Sequence, residues 1–397
     1  MRVSDLAICV DGLGENWLGG ANYFRNLLEV FDAADVPDMR LHLLTDDASF
    51  LGGRRFSSRV CVHELPMLRR KSVPWVLRKA LQVSCGRDVQ MVAELRRLGV
   101  KAVVFSFVSG AVQAGIPCMP WIPDFQFRHH PELYSPSVVA AEQRRAEKWI
   151  GQGDALVVSS QSAGRDAQAL FALAPDRLHV LQFAPRLDFA PIQSIAERDA
   201  VFARYRVDRP YVFLPNQYWL HKNHSLVIDA LDVLRRKGRP APLVISTGKT
   251  QDLRDPTAFA SFETALAAYG VAEDYRVLGV IDRKHMLVLM GHSMAVLNPS
   301  RFEGWSTTVE EAKALGKPLL VSDIAVHREQ VQGLHDARLF GPDDALVLAE
   351  HLALLQEQQG HRGADAHPPH PDPTLHAAFS RRYVALLRSV VANPLPV

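Results

Sequence analysis

The 397-residue chain has few cysteines and no long apolar run. Its cysteines stand singly in the first third of the sequence, at Cys9, Cys61, Cys85 and Cys118, and none forms a C-x-x-C pair. Isolated thiols of this kind are typical of a reducing cytoplasm and exclude a disulfide framework or a zinc site built on paired cysteines. No apolar run reaches the roughly 18 residues of a membrane span, and the N-terminus lacks a secretory h-region with a cleavage site. We therefore expect a cytosolic protein.

The chain also lacks an excess of charge of one sign and an internal repeat. A formal net charge of +2 argues against wholesale nucleic-acid binding, because no global basic excess attracts phosphate backbones. A content of 48% hydrophobic and 22% charged residues is that of an ordinary globular protein. The length exceeds what one hydrophobic core supports, so it predicts two or three domains.

The most informative stretch runs from residue 298 to residue 329. A Pro-Ser turn follows an apolar strand-like run, and Glu303 leads through Gly-Trp-Ser-Thr-Thr into a helix with Glu310 and Glu311. The turn Gly316-Lys317-Pro318 and a second apolar strand complete a parallel βαβ pattern. Unpaired amides and the positive end of the helix dipole meet where the loop enters the helix, which suits a phosphate. The flanking carboxylates suit hydroxyls of a sugar or ribose.

Glu303 and Glu311 have the spacing E-x7-E. In its Pro-Ser and Gly-Lys-Pro frame, this unit resembles the signature of retaining GT-B glycosyltransferases, family 4 in particular, although their usual loop reads Glu-Gly-Phe-Gly-Leu-Pro. Two glutamates at this spacing are common on helices, so the pair alone means little. The resemblance depends on the Pro-Ser turn before the pair and the Gly-Lys-Pro turn after it. The resemblance covers most of the chain, strongly from about residue 210 to 329. It implies two Rossmann-like doubly wound α/β domains facing across a cleft, with a C-terminal helix crossing back to the first domain.

The resemblance also implies roles for individual residues. In the family the first glutamate touches the transferred sugar, the loop amides hold the donor diphosphate, and the second glutamate binds the nucleotide ribose. Residues that follow the glycine of a short strand and turn contact the nucleobase. The donor-binding residues predicted from these two segments are Gly279, Val280, Ile281, Glu303, Gly304, Trp305, Ser306, Thr307, Thr308 and Glu311.

A basic residue is predicted in the loop after the strand Tyr211–Leu214. Lys222 precedes a helix there, where its charge and the helix N-terminus both favour a phosphate. Family members carry an arginine five positions before this lysine, and Gln217 stands in its place. Either Arg301 or Lys249 supplies the missing positive charge, or the loop amides contribute more to binding the diphosphate.

The N-terminal part contributes a glycine loop and a candidate group for the acceptor. A strand over residues 6–10 leads into Asp11-Gly12-Leu13-Gly14, and the pair Gly19-Gly20 precedes a helical pattern, as in a doubly wound domain. In the resembled family this Gly-Gly loop lies near the donor phosphate. Family members also have a His-Asp pair after a later strand. Asp124 keeps the acidic position, and whether Asp124, His129 or His130 assists the acceptor stays open.

Basic residues are concentrated between residues 54 and 97. This stretch holds eleven Lys/Arg against three Asp/Glu, a net charge of +8. The segment from Arg69 to Lys79 mixes basic residues with Trp75 and aliphatic side chains. This composition suits a segment resting on anionic lipid. It equally suits a solvated helix face whose arginines cover apolar surface.

We predict three segments: residues 1–190 as an acceptor-side domain, 191–374 as a nucleotide-sugar-binding domain, and 375–397 as a helix packing back on the first. The connector before that helix is rich in proline, with His361, His367 and His370 at irregular spacing, which favours a flexible loop over a metal site.

The function predicted is metal-independent transfer of a sugar, with retention, from a nucleotide-diphosphate sugar to a hydroxyl of a glycan or lipid-linked acceptor. Many glycosyltransferases hold a metal with D-x-D, which is absent from this chain. Neutralisation would then come from Lys222, Thr307 and Thr308 with helix amides, and no cofactor is expected. The resemblance to the family favours a role in bacterial surface polysaccharide synthesis, on the inner face of the cytoplasmic membrane. The alternatives are a nucleotide-sugar 2-epimerase of similar architecture and a non-catalytic nucleotide-sugar-binding module.

Overall fold

The computed structural model describes residues 3–13, 18–252, 255–362 and 372–392. The chain separates into two compact units, one of Met1–Phe183 with His376–Val397 and one of Ala184–Leu375. The second unit thus begins slightly before the predicted domain boundary at residues 190/191 and ends next to the one predicted at 374/375. Gly14 of the first glycine motif and His367 and His370 of the connector lie outside the described residues.

In the described part of the first unit, the strands form two parallel sheets. The strands are β1 (Ser4–Val10), β2 (Met39–Thr45), β3 (Val60–Glu64), β4 (Val100–Val104), β5 (Cys118–Met119), β6 (Trp121–Ile122), β7 (Leu156–Val158) and β8 (Leu178–Val180). One sheet has the order β3-β2-β1-β4-β5 and the other the order β6-β7-β8. The chain passes from β5 to β6 at Pro120, which has no N–H for a ladder, so the proline interrupts what would otherwise be one strand.

Helices connect these strands, and side-chain caps fix several of their starts. The helices are α1 (Leu18–Ala33), α2 (Val73–Cys85), α3 (Val89–Arg97), α4 (Gln126–His129), α5 (Pro136–Gln152) and α6 (Gln161–Phe171). The hydroxyl predicted to cap α6 is that of Ser160, which accepts a hydrogen bond from the amide of Ala163 at 3.0 Å.

Two local predictions in this unit were wrong. Gly19 and Gly20 lie in the first turn of α1 rather than in a loop before it, because the helix already begins at Leu18. The apolar run over residues 103–107 predicts a strand, but the strand ends at Val104, since Phe105 has a φ of 55° and turns the backbone into the left-handed region.

The second unit has one six-stranded parallel sheet among its described residues. Its strands are β9 (Tyr211–Leu214), β10 (Leu243–Ser246), β11 (Tyr275–Val277), β12 (Ala295–Asn298), β13 (Leu319–Ser322) and β14 (Ala337–Phe340). Their order, β11-β10-β9-β12-β13-β14, is that of a doubly wound Rossmann-like sheet. The strand order reverses between β9 and β12, so the loops leaving these two strands diverge to opposite sides and open a crevice at their carboxyl ends.

The remaining helices cover this sheet or end the chain. They are α7 (Ala190–Gln193), α8 (Ile195–Tyr205), α9 (His224–Arg236), α10 (Ala258–Ala268), α11 (Arg283–His292), α12 (Thr307–Ala314), α13 (Ala325–Gln330), α14 (Ala345–Arg362) and α15 (Pro373–Ala392). None of the helices within the described ranges combines the length and apolarity needed to cross a bilayer.

Each unit has its own buried core. In the second unit, the apolar clusters on the two faces of the sheet are drawn from residues 187–375. In the first unit, the clusters lie within residues 7–180. The C-terminal helix α15 adds to the first unit, where the rings of Phe379 and Phe183 and those of Tyr383 and Phe105 each lie 5.6 Å apart.

Candidate functional site

The crevice of the second sheet brings together two segments that the sequence analysis singled out. β9 and β12 are parallel neighbours, with Val212 opposite Ala295. The loop leaving β9 carries Lys222, and the loop leaving β12 carries Glu303. The sheet register therefore joins two side chains that are 81 residues apart in sequence.

Lys222 and Glu303 form a largely buried ion pair. The Lys222 ammonium donates to Oε1 of Glu303 at 2.6 Å, and the two side chains are 14% and 9% exposed. The same oxygen accepts from the Ser300 hydroxyl at 2.7 Å and is approached by the Asn298 amide nitrogen at 3.4 Å. Because these donors converge on Oε1, the other carboxylate oxygen is available to an incoming hydroxyl.

Glu303 is held as a carboxylate. Burial acts to raise its pKa, but the charge and hydrogen bond of Lys222 together with His327 and His221 outweigh burial, so the pKa falls to about 2. The group is fully ionised at neutral pH. It can accept hydrogen bonds from a ligand, but it cannot serve as a proton donor.

Asn298, at the end of β12, links the surrounding loops. Its amide oxygen accepts from the Asn216 amide at 2.9 Å and from the Ser300 hydroxyl at 2.6 Å. Its amide nitrogen donates to the Ser306 hydroxyl at 2.7 Å. One fully buried side chain thus connects the loop after β9, the loop after β12 and the start of α12.

The N-terminus of α12 has the form of an anion site. Ser306 caps the helix, its hydroxyl accepting from the Val309 amide at 3.3 Å and its carbonyl from the Glu310 amide at 3.2 Å. The first-turn amides that remain for a ligand are those of Thr307 and Thr308. Gly304 and Trp305, the half-buried loop residues before the cap, complete the entry to the helix.

The two adjacent glutamates of α12 have different partners. Glu311 accepts from a guanidinium nitrogen of Arg283, at the start of α11, at 2.5 Å. Glu310 pairs with Lys313 at 2.9 Å and accepts from the Gln330 amide at 3.0 Å. Glu310 therefore belongs to the packing of α12 and α13, while Glu311 lies beside α11.

The predicted nucleobase segment lies next to the loop that carries Gln217. Gly279 has a φ of +67°, and its carbonyl accepts from the amide of Gly248 at 2.9 Å. A Cβ on Gly248 would lie 2.7 Å from the Cα of Gln217, so only glycine allows this close approach. Val280 is exposed, and Ile281 packs partly on the core.

A buried histidine fixes the loop that carries Lys222. His224 bonds the carbonyl of Gln217 at 3.1 Å and the Tyr275 hydroxyl at 2.9 Å, and its ring stacks on Tyr218. Burial lowers the pKa of His224 to about 4, so the ring is neutral. A neutral ring needs one protonated nitrogen, and the carbonyl partner identifies it as Nε2.

Arg301, one of the two candidates for the missing charge, contacts two other loops. Its guanidinium pairs with Asp343 at the exposed surface, and its backbone amide donates to the carbonyl of His221 at 2.8 Å. The backbone of Arg301 therefore helps to place the Lys222 loop, while its charge is engaged elsewhere.

The predicted residues of the first unit lie in two places. Asp124 follows β6, and its carboxylate accepts from the Gln126 amide at 2.9 Å. His129 contacts Asp166 at 2.7 Å, and His130 contacts Glu132 at 2.9 Å. Gly19 and Gly20 are in α1. Among the described residues, no group of three or more His, Cys, Asp and Glu side chains is placed to hold a metal ion.

The basic stretch of residues 54–97 is not a uniform charged surface. Several of its arginines are engaged within the unit: Arg54 with Glu29, Arg59 with backbone carbonyls, Arg78 with Asp88, and Arg97 with Glu94. The exposed face of α2 is apolar, with Val73 and Val83 83% and 85% exposed and Val76 and Leu77 between them. The exposed residues Arg69, Arg70 and Lys71 lie just before this helix.

Sequence reasoning missed several polar residues of the site, namely Asn216, Arg283, Asn298, Ser300 and His327. Asn298 and Ser300 flank the Pro of the Pro-Ser turn, which was the available signal. No sequence signal indicated Arg283, because its contact with Glu311 depends on how α11 and α12 pack.

Comparisons with known proteins find a family match within the second unit. Residues 198–364 match the family described as glycosyl transferases group 1. Over 187 residues the chain is 28% identical to a D-inositol 3-phosphate glycosyltransferase of Jonesia denitrificans. The match covers 45% of this chain and 43% of that protein, less than half the relative's length.

Solved structures resemble the chain over nearly its whole length. Anabaena Alr3699/HepE in complex with UDP-glucose has a TM-score of 0.67 at 13% identity, covering 97% of this chain and 99% of that one. Sucrose-phosphate synthase of Thermosynechococcus elongatus has a TM-score of 0.65 at 16% identity, covering 96% and 94%. These likenesses confirm the predicted α/β GT-B fold with separate Rossmann-like domains. With the family match, they support a glycosyltransferase enzyme.

Proposed function

We propose that this chain is a retaining glycosyltransferase that moves a sugar from a nucleotide-diphosphate sugar to a hydroxyl of its acceptor. The observation that carries the proposal is the Lys222–Glu303 pair at the entry to α12. It places an ammonium, an ionised carboxylate and a helix N-terminus in one crevice, which is what binding a sugar diphosphate requires.

The diphosphate leaving group is stabilised by the protein in this proposal. The Lys222 ammonium and the amides of Thr307 and Thr308 supply fixed positive charge where negative charge develops. Because they are oriented before the donor arrives, they need little reorganisation during reaction. Together with the absence of D-x-D from the sequence, this donor set supports transfer that does not require a divalent cation.

In this proposal, two different protein carboxylates bind the sugar and the nucleoside. Glu303 accepts from a sugar hydroxyl through the oxygen that Lys222 does not occupy, and Glu311 accepts from the ribose. The backbone of residues 279–281 contacts the base. The E-x7-E resemblance assigns these roles and, with them, family 4 and retention of anomeric configuration by front-face attack, in which the departing phosphate takes the acceptor proton.

The acceptor is proposed to be a glycan or lipid-linked glycan in bacterial surface polysaccharide synthesis. Asp124 is the group of the first unit proposed to assist it, because its carboxylate follows β6 at the position the family keeps acidic.

A donor screen followed by one substitution tests the proposed function. Thermal shift against UDP-, GDP- and dTDP-sugars should show stabilisation by one donor class, and that donor should then be hydrolysed or transferred. Glu303→Gln should lower turnover by about 100-fold or more, because a transition-state contact is removed. Asp343→Asn, which breaks the exposed pair with Arg301, is the matched control and should keep full activity.

Two results would contradict this function. Donor binding without turnover in the native chain would favour the non-catalytic module. Interconversion of free nucleotide sugars would favour the epimerase. NMR of the product anomer tests retention separately, since an inverted linkage would contradict the family 4 mechanism and leave the transferase activity standing.

We further propose that α2 contacts an anionic membrane surface and brings the enzyme to lipid-linked acceptors. The exposed apolar residues Val73, Val76, Leu77 and Val83 recur at helical spacing, so they share one face. The basic run Arg69–Lys71 at the start of α2 supplies attraction to anionic headgroups, and an apolar face with basic neighbours fits an interfacial helix.

Vesicle co-sedimentation tests this contact. Charge reversal of Arg69, Arg70 and Lys71 to glutamate should abolish binding to phosphatidylglycerol-containing vesicles. The same reversal of the exposed run Arg235–Lys237, which ends α9 in the other unit, should not. Equal binding by both variants would show that α2 is an ordinary solvated helix.

A further inference from the structure

Arg283 joins two parts of the proposed nucleoside site. It is the first residue of α11 and follows the predicted base segment, residues 279–281, after a single intervening residue. Its guanidinium donates to Glu311, the carboxylate proposed to bind ribose. The contact spans 28 residues of sequence and connects α11 with the second turn of α12.

The two partners differ in exposure in a way that indicates their roles. The Glu311 side chain is 9% exposed, whereas that of Arg283 is 47% exposed. A carboxylate so far from water needs a charged or hydrogen-bonding partner within the protein. In the described part of the chain, Arg283 is the cation in contact with it. The neighbouring Glu310 is neutralised by Lys313 instead, so that cation does not serve Glu311.

The geometry also leaves room for a ligand on both groups. Arg283 engages Oε1 of Glu311, so the second oxygen can accept a hydroxyl. Within the described ranges, the other terminal guanidinium nitrogen of Arg283 contacts the Met286 sulfur at 3.8 Å, a weak acceptor. A fixed carboxylate oxygen beside a fixed donor suits two adjacent hydroxyls, each of which both donates and accepts.

We propose that Arg283 is a positioning residue that orients Glu311 and thereby selects donors whose nucleoside carries the vicinal 2′,3′-diol of ribose. The inference rests on the proposed function and deepens it by naming what the nucleoside end of the site discriminates. A 2′-deoxyribose offers only one of the two hydroxyls. Its use leaves the buried Glu311 carboxylate without one of its partners, which is the usual origin of strong discrimination.

Calorimetric binding of UDP and GDP, each beside its 2′-deoxy form, tests the proposal with the full chain. Native protein should prefer the ribonucleotide by about tenfold or more, since one hydrogen bond to a charged group is at stake. Arg283→Gln should bring this preference close to one, mainly by weakening the ribonucleotide. Arg283→Lys, which keeps the charge, should retain part of the preference.

Two controls separate this role from general damage. Lys284→Gln removes the next cation on α11, which pairs with Glu197, and Lys313→Gln breaks the Glu310 pair on α12. Both should keep the native preference. A preference unchanged in Arg283→Gln, or lost equally in the controls, would overturn the proposal while leaving the transferase intact. Failure of the native chain to bind either nucleotide would instead count against the proposed function and remove the basis of this inference.

Discussion

At the scale of single residues, Glu303 is the most closely specified side chain of the site. One of its oxygens is held by Lys222 and Ser300, and the pair is shielded from water. Removing either partner of a buried ion pair leaves an uncompensated charge, which typically costs about 3–5 kcal/mol. A substitution at this pair therefore affects both activity and stability. Each variant needs a measurement of its turnover and of its unfolding free energy.

The pH dependence of stability follows from the low pKa of Glu303. This pKa is about 2 in the folded protein against 4.5 for the free side chain. Such a carboxylate contributes stability that is complete above pH 4.5 and is lost as the pH falls towards 2. We expect the difference in unfolding free energy between native protein and Glu303→Gln to be constant from pH 5 to 7. It should shrink below pH 4.5, by about 3 kcal/mol in all.

Urea denaturation of both proteins between pH 2.5 and 7 measures this difference. Glu357→Gln, which breaks an exposed pair with Arg239, controls for the loss of a surface carboxylate. A difference that already falls between pH 7 and 5 would contradict the assigned environment of Glu303.

Lys317 makes stability rise with pH as well, but in the alkaline range. It is buried, donates to the carbonyl of Gly291 at 3.0 Å, and burial lowers its pKa to about 7 from 10.5. Between these values the unfolded chain binds a proton that the folded chain has released, so stability rises with pH. Lys317→Met should therefore be most favourable relative to the native protein at pH 7 or below. Its advantage should decrease by several kcal/mol towards pH 10.

Thermal or urea unfolding at pH 7, 8.5 and 10 tests this expectation. Lys284→Met, at an exposed position, serves as the control for loss of a lysine. Parallel curves for native protein and Lys317→Met would show that the buried ammonium is not titrating in this range.

Sequence patterns singled out crevice residues that stand in recognisable segments and missed those that act through distant contacts. Glu303 and Lys222 stand in segments with a recognisable frame, and the structure brings them together. Asn298 and Arg283 act through contacts 82 and 28 residues away in sequence. Such contacts depend on strand register and helix packing, which local pattern does not encode. The contacts of the Gln217 backbone with His224 and Gly248 depend on tertiary packing for a similar reason.

At the scale of elements, the helix caps offer a matched comparison. Ser306 caps α12 in the candidate site, and Ser160 caps α6 in the other unit. Each hydroxyl is buried and accepts from the amide three residues on, at 3.3 Å and 3.0 Å. Their local roles in stability are alike, but only Ser306 also receives Asn298 and lies at the proposed diphosphate site.

Replacing each serine by alanine should separate stability from function. Both variants should lose about 1–2 kcal/mol of unfolding free energy, the usual cost of losing an N-cap. Ser306→Ala should also weaken nucleotide binding and turnover by about tenfold or more, because the start of α12 and its free amides shift. Ser160→Ala should retain native kinetics. Equal kinetics in the two variants would show that the α12 N-terminus takes no part in binding.

Elements were predicted best where both faces of a strand are buried. Residues 211–214 and 243–246 read as apolar runs between polar turns, and β9 and β10 have those bounds. The errors occur where one residue reverses the backbone or a helix starts early. Phe105 adopts a left-handed conformation that its bulk disfavours, and Gly19 begins a helix turn although glycine disfavours helix. For Phe105, the rings of Tyr23 and Tyr383 pack against its side chain, so tertiary contacts offset the unfavourable backbone conformation.

At the scale of the whole molecule, the two units are built around separate cores. The buried clusters of the second unit contain no residue of the first, and the converse holds for the described residues. The residues proposed for donor binding belong to the second unit except for Gly19 and Gly20. Nucleotide should therefore act on the folding equilibrium of one unit rather than on the chain as a single cooperative system.

Differential scanning calorimetry should accordingly resolve two components. Leu231→Ala, in the core of the second unit, should lower one component, and Leu95→Ala, in the first, should lower the other, each by about 2–5 kcal/mol. A nucleoside diphosphate at about 100 times its Kd should raise only the component lowered by Leu231→Ala, by about 2.7 kcal/mol. If one transition shifted as a whole with either substitution and with nucleotide, the units would be thermodynamically coupled despite their separate cores. The donor site would then owe its stability to the entire chain.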